Sequence, residues 1–166
     1  MLQPILTINL TSGETDHYTI PPEWEYDFLG GSALAARILY AELSQDIFPL
    51  SPQAALLFLN GPLSGTSGPA VGRFVVCARS PHTQLWGEAN CGGFWGAELR
   101  KAGFDGLWIT GRAGQPVYLW IHDGLVEVRP ATHVWGLDTY QTQAALQEEL
   151  GPGGKGASVA VIGPAG

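Results

Sequence analysis

The sequence predicts an α+β fold built on a hairpin–helix–strand unit that occurs twice. Three observations predict it. Turn chemistry at Thr11-Ser12-Gly13 and again at His122-Asp123-Gly124 separates short alternating apolar segments. Each hairpin is followed by a stretch with helical apolar spacing. Each half then closes on a short apolar run that stops at a Gly-Pro pair, Gly61-Pro62 or Gly163-Pro164. At 166 residues the chain suffices for one domain with its own core.

In order, Ile5 to Leu10 alternates along a first strand, and His17 to Ile20 returns as its hairpin partner before Pro21-Pro22. Gly30-Gly31-Ser32 opens a helix to about Leu43, with Ser32 as N-cap and Leu34, Ile38 and Ala41 on one face. Ala54 to Leu59 reads as a buried strand. It runs into a polar Gly/Pro loop, Asn60 to Pro69. Phe74 to Ala78 is the next strand. The loop Ser80 to Glu88 and Ala89-Asn90-Cys91-Gly92-Gly93 then lead into a helix, Phe94 to Ala102, with Gly103 just past its end. Gly106 to Thr110 is a buried strand. Val117 to Ile121 and Leu125 to Arg129 form the second hairpin. A helix from Thr139 to Leu150, capped by Thr139 or Asp138, stops at Gly151-Pro152-Gly153-Gly154, and Ser158 to Ile162 is a last strand.

The halves are unequal. The first continues beyond its Gly-Pro loop with a strand, the Gly-Gly helix and another strand, whereas the second ends at Gly166. If the duplication is real, residues 1–166 are one domain cut short at its C-terminal end, with an exposed sheet edge and an uncovered apolar face. Two such runs also arise by chance in α+β domains.

Composition narrows function. Net charge is −7 with only eight Lys and Arg, which argues against a nucleic-acid-binding face. No run of 18 apolar residues is present, so no membrane span is expected. The first residues lack a basic segment followed by an apolar one, so the expected location is the cytoplasm. Cys77 and Cys91 share no CxxC spacing, and the four histidines show no HxH or HxxxH. Six tryptophans imply a crowded core or a surface that meets something else.

Two features carry potential chemistry. At the Gly92-Gly93 helix entrance a ligand can approach the backbone closely, since no Cβ intervenes, and first-turn N–H groups favour an anion. Asn90 beside it can donate, accept, or offer its carbonyl to a hard cation. A glycine-rich turn that merely lets a helix pack on a sheet has the same signature. Arg73 follows a Gly/Pro loop at a strand start, where its planar guanidinium suits a phosphate or a ring edge, or is simply a surface arginine. The Gly61–Gly68 segment lacks the Gly-Lys-Ser/Thr ending of a P-loop.

An ordered set of segments carries a resemblance. Phe28-Leu29-Gly30-Gly31, Pro49-Leu50-Ser51-Pro52, Gly61-Pro62-Leu63-Ser64-Gly65-Thr66, Gly72-Arg73-Phe74, Ala89-Asn90-Cys91-Gly92-Gly93, Gly96 to Gly106 and His133-Val134-Trp135-Gly136 occur in this order. Together they resemble the N-terminal domain of the aldehyde ferredoxin oxidoreductase family, over essentially the whole chain. The resemblance implies a pterin-binding domain of an enzyme that oxidises aldehydes to carboxylic acids and passes electrons to ferredoxin. The family's cofactors are tungsten, or molybdenum, held by two pterins with Mg²⁺ at their phosphates, and a [4Fe–4S] cluster. By this resemblance Arg73 reaches the pterin and the cluster, Asn90 lies near the phosphates and Mg²⁺, and Gly92, with its neighbour Gly93, meets the pterin through its backbone. Cys91 stands where the family usually has serine. The cluster cysteines and a second pterin segment are expected beyond Gly166. The partners implied are ferredoxin and the remaining domains or a partner subunit, with a homodimer also compatible. A split subunit, a stand-alone pterin-binding module and an inactive gene fragment are the alternatives.

Overall fold

The computed structural model describes residues 2–165. The elements are β1 (Ile5–Asn9), β2 (Thr15–Tyr18), α1 (Pro22–Phe28), α2 (Gly31–Glu42), β3 (Leu56–Asn60), β4 (Phe74–Arg79), β5 (Trp86–Cys91), α3 (Trp95–Lys101), β6 (Gly106–Thr110), β7 (Val117–His122), β8 (Leu125–Pro130) and α4 (Thr139–Glu149). Six strands form one mixed sheet in the order β2-β1-β6-β3-β4-β5, while β7 and β8 pair by themselves. Within the large sheet β1 and β6 run parallel, and the other neighbours are antiparallel. The fold is therefore α+β, as the sequence predicts.

Alternation along the strands splits the core in two. Ile5, Leu57, Leu59, Val75 and Cys77 face α2, whose Leu34, Ala35, Ile38 and Leu39 cover them. Each such aliphatic side chain contributes about 1.5–3 kcal/mol on full burial. Leu6, Ile8, Phe58 and Leu107 face the other way, onto Leu99 and Trp95 of α3 and Leu119 and Ile121 of β7. A smaller cluster around Ala131, Val134 and Leu146 joins α4 to the β7–β8 hairpin. Between this second sheet face, the hairpin, α4 and the chain around Val159 lies an open, mainly apolar cavity of about 800 Å³.

The structure departs from the sequence expectations in five places. The return strand of the first hairpin is Thr15–Tyr18 rather than His17 to Ile20, because its register is set by pairing with Ile5–Ile8 and not by burial of its own residues. Pro22 starts α1, since a proline fits the first helical position, where no N–H partner is required. Ser32 is not the cap of α2: Gly30 occupies that position and makes no side-chain cap bond, while the Ser32 hydroxyl donates to Glu88 Oε1 at 2.6 Å. Ala89-Asn90-Cys91 is not a loop leading into a helix but the end of the edge strand β5, in register with β4 from Arg79↔Trp86 to Phe74↔Cys91. Its residues are mostly exposed, so they lack the apolar alternation that marks a strand. Ser158 to Ile162 forms no strand, because no neighbouring strand pairs with it among the described residues. The second unit thus repeats the hairpin and the helix but not the strand.

Candidate functional site

One end of the large sheet gathers the residues singled out above. Arg73 immediately precedes β4, and Asn90 lies one position from the end of β5, its strand partner being Val75. Alternation puts both side chains on the face that carries α2. Arg73 donates from a terminal guanidinium nitrogen to Asn90 Oδ1 at 2.5 Å. Both are exposed, and no further acceptor for the guanidinium or the Asn90 amide group lies among the described residues. Gly92 and Gly93 link β5 to α3 and are exposed. At Gly92 an added Cβ would meet nothing within 4 Å, so the space beside its backbone is open. Arg73, Asn90 and the glycine pair are therefore brought together. The setting is both a strand end, at Asn90, and the helix entrance expected at Gly92-Gly93, and the free donors come from side chains and an open backbone.

Beside this pair, Glu88 shares the face of Asn90 two residues earlier. Both of its oxygens are engaged, by the Ser32 hydroxyl at 2.6 Å and by the Trp86 indole N–H at 3.3 Å. Ser32 comes from the first turn of α2, which follows a strained corner. Leu29, Gly30 and Gly31 all have positive φ, at 61°, 152° and 57°. A leucine in that region is unfavourable, and its side chain is 64% exposed. The corner packs against the Gly61–Gly72 loop: a Cβ on Gly30 would lie 3.0 Å from Pro62 Cδ and 3.1 Å from the Asn60 carbonyl.

Sequence reasoning missed the polar hub beneath this loop. Asn60 and Asp105 are both fully buried. Asn60 donates from Nδ2 to the Gly96 carbonyl at 2.8 Å. Asp105 Oδ1 lies 3.5 Å from an Arg100 guanidinium nitrogen, and that same nitrogen donates to the Pro62 and Ser64 carbonyls at 3.0 and 3.2 Å. A carboxylate wedged between Phe104 and Gly106 at the start of an apolar strand was the available signal. Of the two cysteines, Cys77 is buried, whereas Cys91 sits half-buried at the edge of β5. The described residues contain no group of three or more His, Cys, Asp or Glu side chains able to hold a metal ion, and no helix among them is long and apolar enough to cross a membrane.

Comparison with known proteins gives this geometry a family. Residues 5–166 match the model of the aldehyde ferredoxin oxidoreductase N-terminal domain. The chain belongs to the aldehyde ferredoxin oxidoreductase family. It is 44% identical over 162 residues to a tungsten-containing aldehyde ferredoxin oxidoreductase of Pyrococcus abyssi, covering 98% of this chain and 26% of the relative. An aliphatic sulfonate oxidoreductase, WOR-like subunit, of Pyrococcus furiosus is 33% identical over 149 residues, or 88% of this chain and 24% of that one. Among solved structures, the active-site complex BamBC of benzoyl-coenzyme A reductase with 1,5-dienoyl-CoA superposes with a TM-score of 0.92 at 33% identity, over 98% of this chain and 25% of its counterpart. The chain thus spans about a quarter of the length of these aldehyde ferredoxin oxidoreductase relatives.

Proposed function

We propose that this domain cradles a tungsten- or molybdenum-bound pterin cofactor in an oxidoreductase that acts on aldehydes, with electrons leaving through a [4Fe–4S] cluster to ferredoxin. The observation that carries the reading is the Arg73–Asn90 pair, with donors to spare, beside the open backbone of Gly92 in a domain of this family. The donor set fits the group. A guanidinium and a primary amide suit phosphate oxygens and the edge of a pterin ring. The Gly92 and Gly93 backbone admits a flat ligand at van der Waals distance. Glu88, which would repel an anion, is already occupied by Ser32 and Trp86. Arg73 binds and orients the pterin edge, Asn90 holds a phosphate or its Mg²⁺ through the amide, and the glycines shape the floor. The bound metal–pterin supplies two-electron redox chemistry at the substrate carbon.

The aldehyde reading is favoured over sulfonate or acyl-CoA chemistry by identity, 44% against 33%. One relative is a subunit and the chain covers a quarter of each, which favours action alongside further polypeptide, in the same chain or as a partner subunit. Arg73→Ala removes a charge-assisted contact of about 1.5–3 kcal/mol. Cofactor affinity should then drop about tenfold or more. Tungsten by metal analysis and pterin by fluorescence after oxidation read this directly on the natively purified protein. Unchanged loading together with unchanged aldehyde turnover would remove Arg73 from the site.

A further inference from the structure

We infer that the pair formed by half-buried Arg100 and buried Asp105 is a positioning latch for the Gly61–Gly72 loop, and that through this loop it sets the backbone from which Arg73 reaches Asn90. Its functional consequence rests on the cofactor reading above; its geometry does not.

The loop has almost nothing apolar to hold it. Of residues 61 to 72, Ser64 is the one that is buried, and Leu63 is 61% exposed. A segment rich in Gly, Pro, Ser and Thr that buries no hydrophobic side chain has little to offset the entropy of being ordered. Polar links replace that anchor. Arg100 donates to the carbonyls of Pro62 and Ser64. The buried Ser64 hydroxyl donates onward to the Arg73 carbonyl at 3.0 Å. Gly65, with φ +73°, brings the loop down on α3, where an added Cβ would lie 3.3 Å from Arg100 Cδ and 3.5 Å from Ala97 Cα.

The other end of the latch is tied to the sheet. Asp105 Oδ2 accepts from the Gln3 N–H at 2.7 Å, and its Oδ1 receives Asn60 Nδ2 at 3.4 Å. Its peptide group accepts from the Asn60 N–H at 2.8 Å and donates to the Pro4 carbonyl at 3.2 Å. Asp105 therefore joins the starts of β1 and β6 to the end of β3, and offers Arg100 a fixed point. With its carboxylate end buried, the ion pair adds little net stability, because desolvation of Asp105 offsets the attraction. What it supplies is a defined direction for the guanidinium, and two carbonyls of an otherwise unanchored loop follow that direction.

Two substitutions in the natively purified protein test this. Arg100→Lys keeps a cation near Asp105, but the shorter lysine chain places its ammonium short of the single guanidinium nitrogen position that serves both loop carbonyls. Ser64→Ala cuts the link to Arg73 and leaves the ion pair intact. Hydrogen exchange is read on peptides covering 61–73, alongside tungsten and pterin content and the melting temperature. Both variants should speed exchange in 61–73 by about tenfold or more, with β1, β3 and β6 unchanged. Cofactor content should fall severalfold while the melting temperature of Ser64→Ala stays close to the parent. Unchanged loop exchange in both variants overturns the latch, as does a loosened loop with full cofactor content. If Arg100→Lys does not fold, Asp105→Asn, which keeps the shape of the side chain and removes the charge facing Arg100, takes its place in the same exchange measurement. If the parent protein itself holds neither tungsten nor pterin, the cofactor reading fails, and loop exchange alone still decides whether the latch exists.

Discussion

Cys77 lies in β4 with 1% of its surface exposed, opposite Glu88 of β5. Burial pushes its thiol up to about 12, and the Glu88 carboxylate adds to the rise. Tyr18 is likewise raised to about 12, by burial first and then by its hydrogen bond to Glu42. Both groups fold in their neutral form. Their contribution is complete below the unfolded values, 9.0 for the thiol and 10.0 for the phenol, and is lost as pH rises toward about 12. The urea midpoint should therefore fall steadily above about pH 9, and fall less steeply in Cys77→Ala. Iodoacetamide at neutral pH should label Cys91 in the native chain and reach Cys77 only after unfolding. Rapid native labelling of Cys77, followed by peptide mapping, would contradict its burial. Arg73, Asn90 and Gly92, proposed to touch the ligand, stand out in the sequence because their chemistry is distinctive and their segments occur in a family order. The residues that position them were not. Asn60, Ser64 and Arg100 are ordinary types at ordinary spacings, and only folding brings Asp105 from 45 residues away to Asn60.

Among the elements, α4 shows what local sequence can specify. Asp138 accepts from the Gln141 N–H at 2.8 Å, and Gln141 Oε1 accepts from the Asp138 N–H at 3.2 Å, a reciprocal capping box. Asp138→Ala should cost about 1 kcal/mol, read from the denaturant midpoint; a loss near zero would show that α4 is held by packing on the hairpin alone. Both hairpin turns were legible from their turn residues, but the strand after the first turn lies two residues earlier than expected, because its exposed positions carry no alternation. Illegibility has a physical pattern. β5 is an edge strand exposed on most positions, so burial imprints no period on it. Residues 158–162 have the opposite problem: Val159, Val161 and Ile162 carry strand propensity, but propensity without a hydrogen-bonding neighbour makes no strand. Cap chemistry misled at Ser32, because α2 already starts at Gly31 and Ser32 falls inside its first turn, where the hydroxyl donates to Glu88, 56 residues away.

At the scale of the molecule, the strand order β2-β1-β6-β3-β4-β5 is what no local pattern reveals. Its parallel pairing, Ile5↔Gly106 through Asn9↔Thr110, joins strands about 100 residues apart. The three strands β3, β4 and β5, by contrast, follow one another within Leu56–Cys91 as antiparallel neighbours. Loop-closure entropy makes the first pairing slow and the second fast. In pulsed hydrogen exchange during refolding, amides of β3–β5 should gain protection before those of β1, and simultaneous protection would exclude that order. Seen as a history rather than a shape, the two halves of the site have different ages. The rung that brings Arg73 to Asn90 is laid down with the local meander. The anchor at Gln3 and Asp105 closes only when β1 docks beside β6, so Arg73 and Asn90 gather first and acquire their final bearing last.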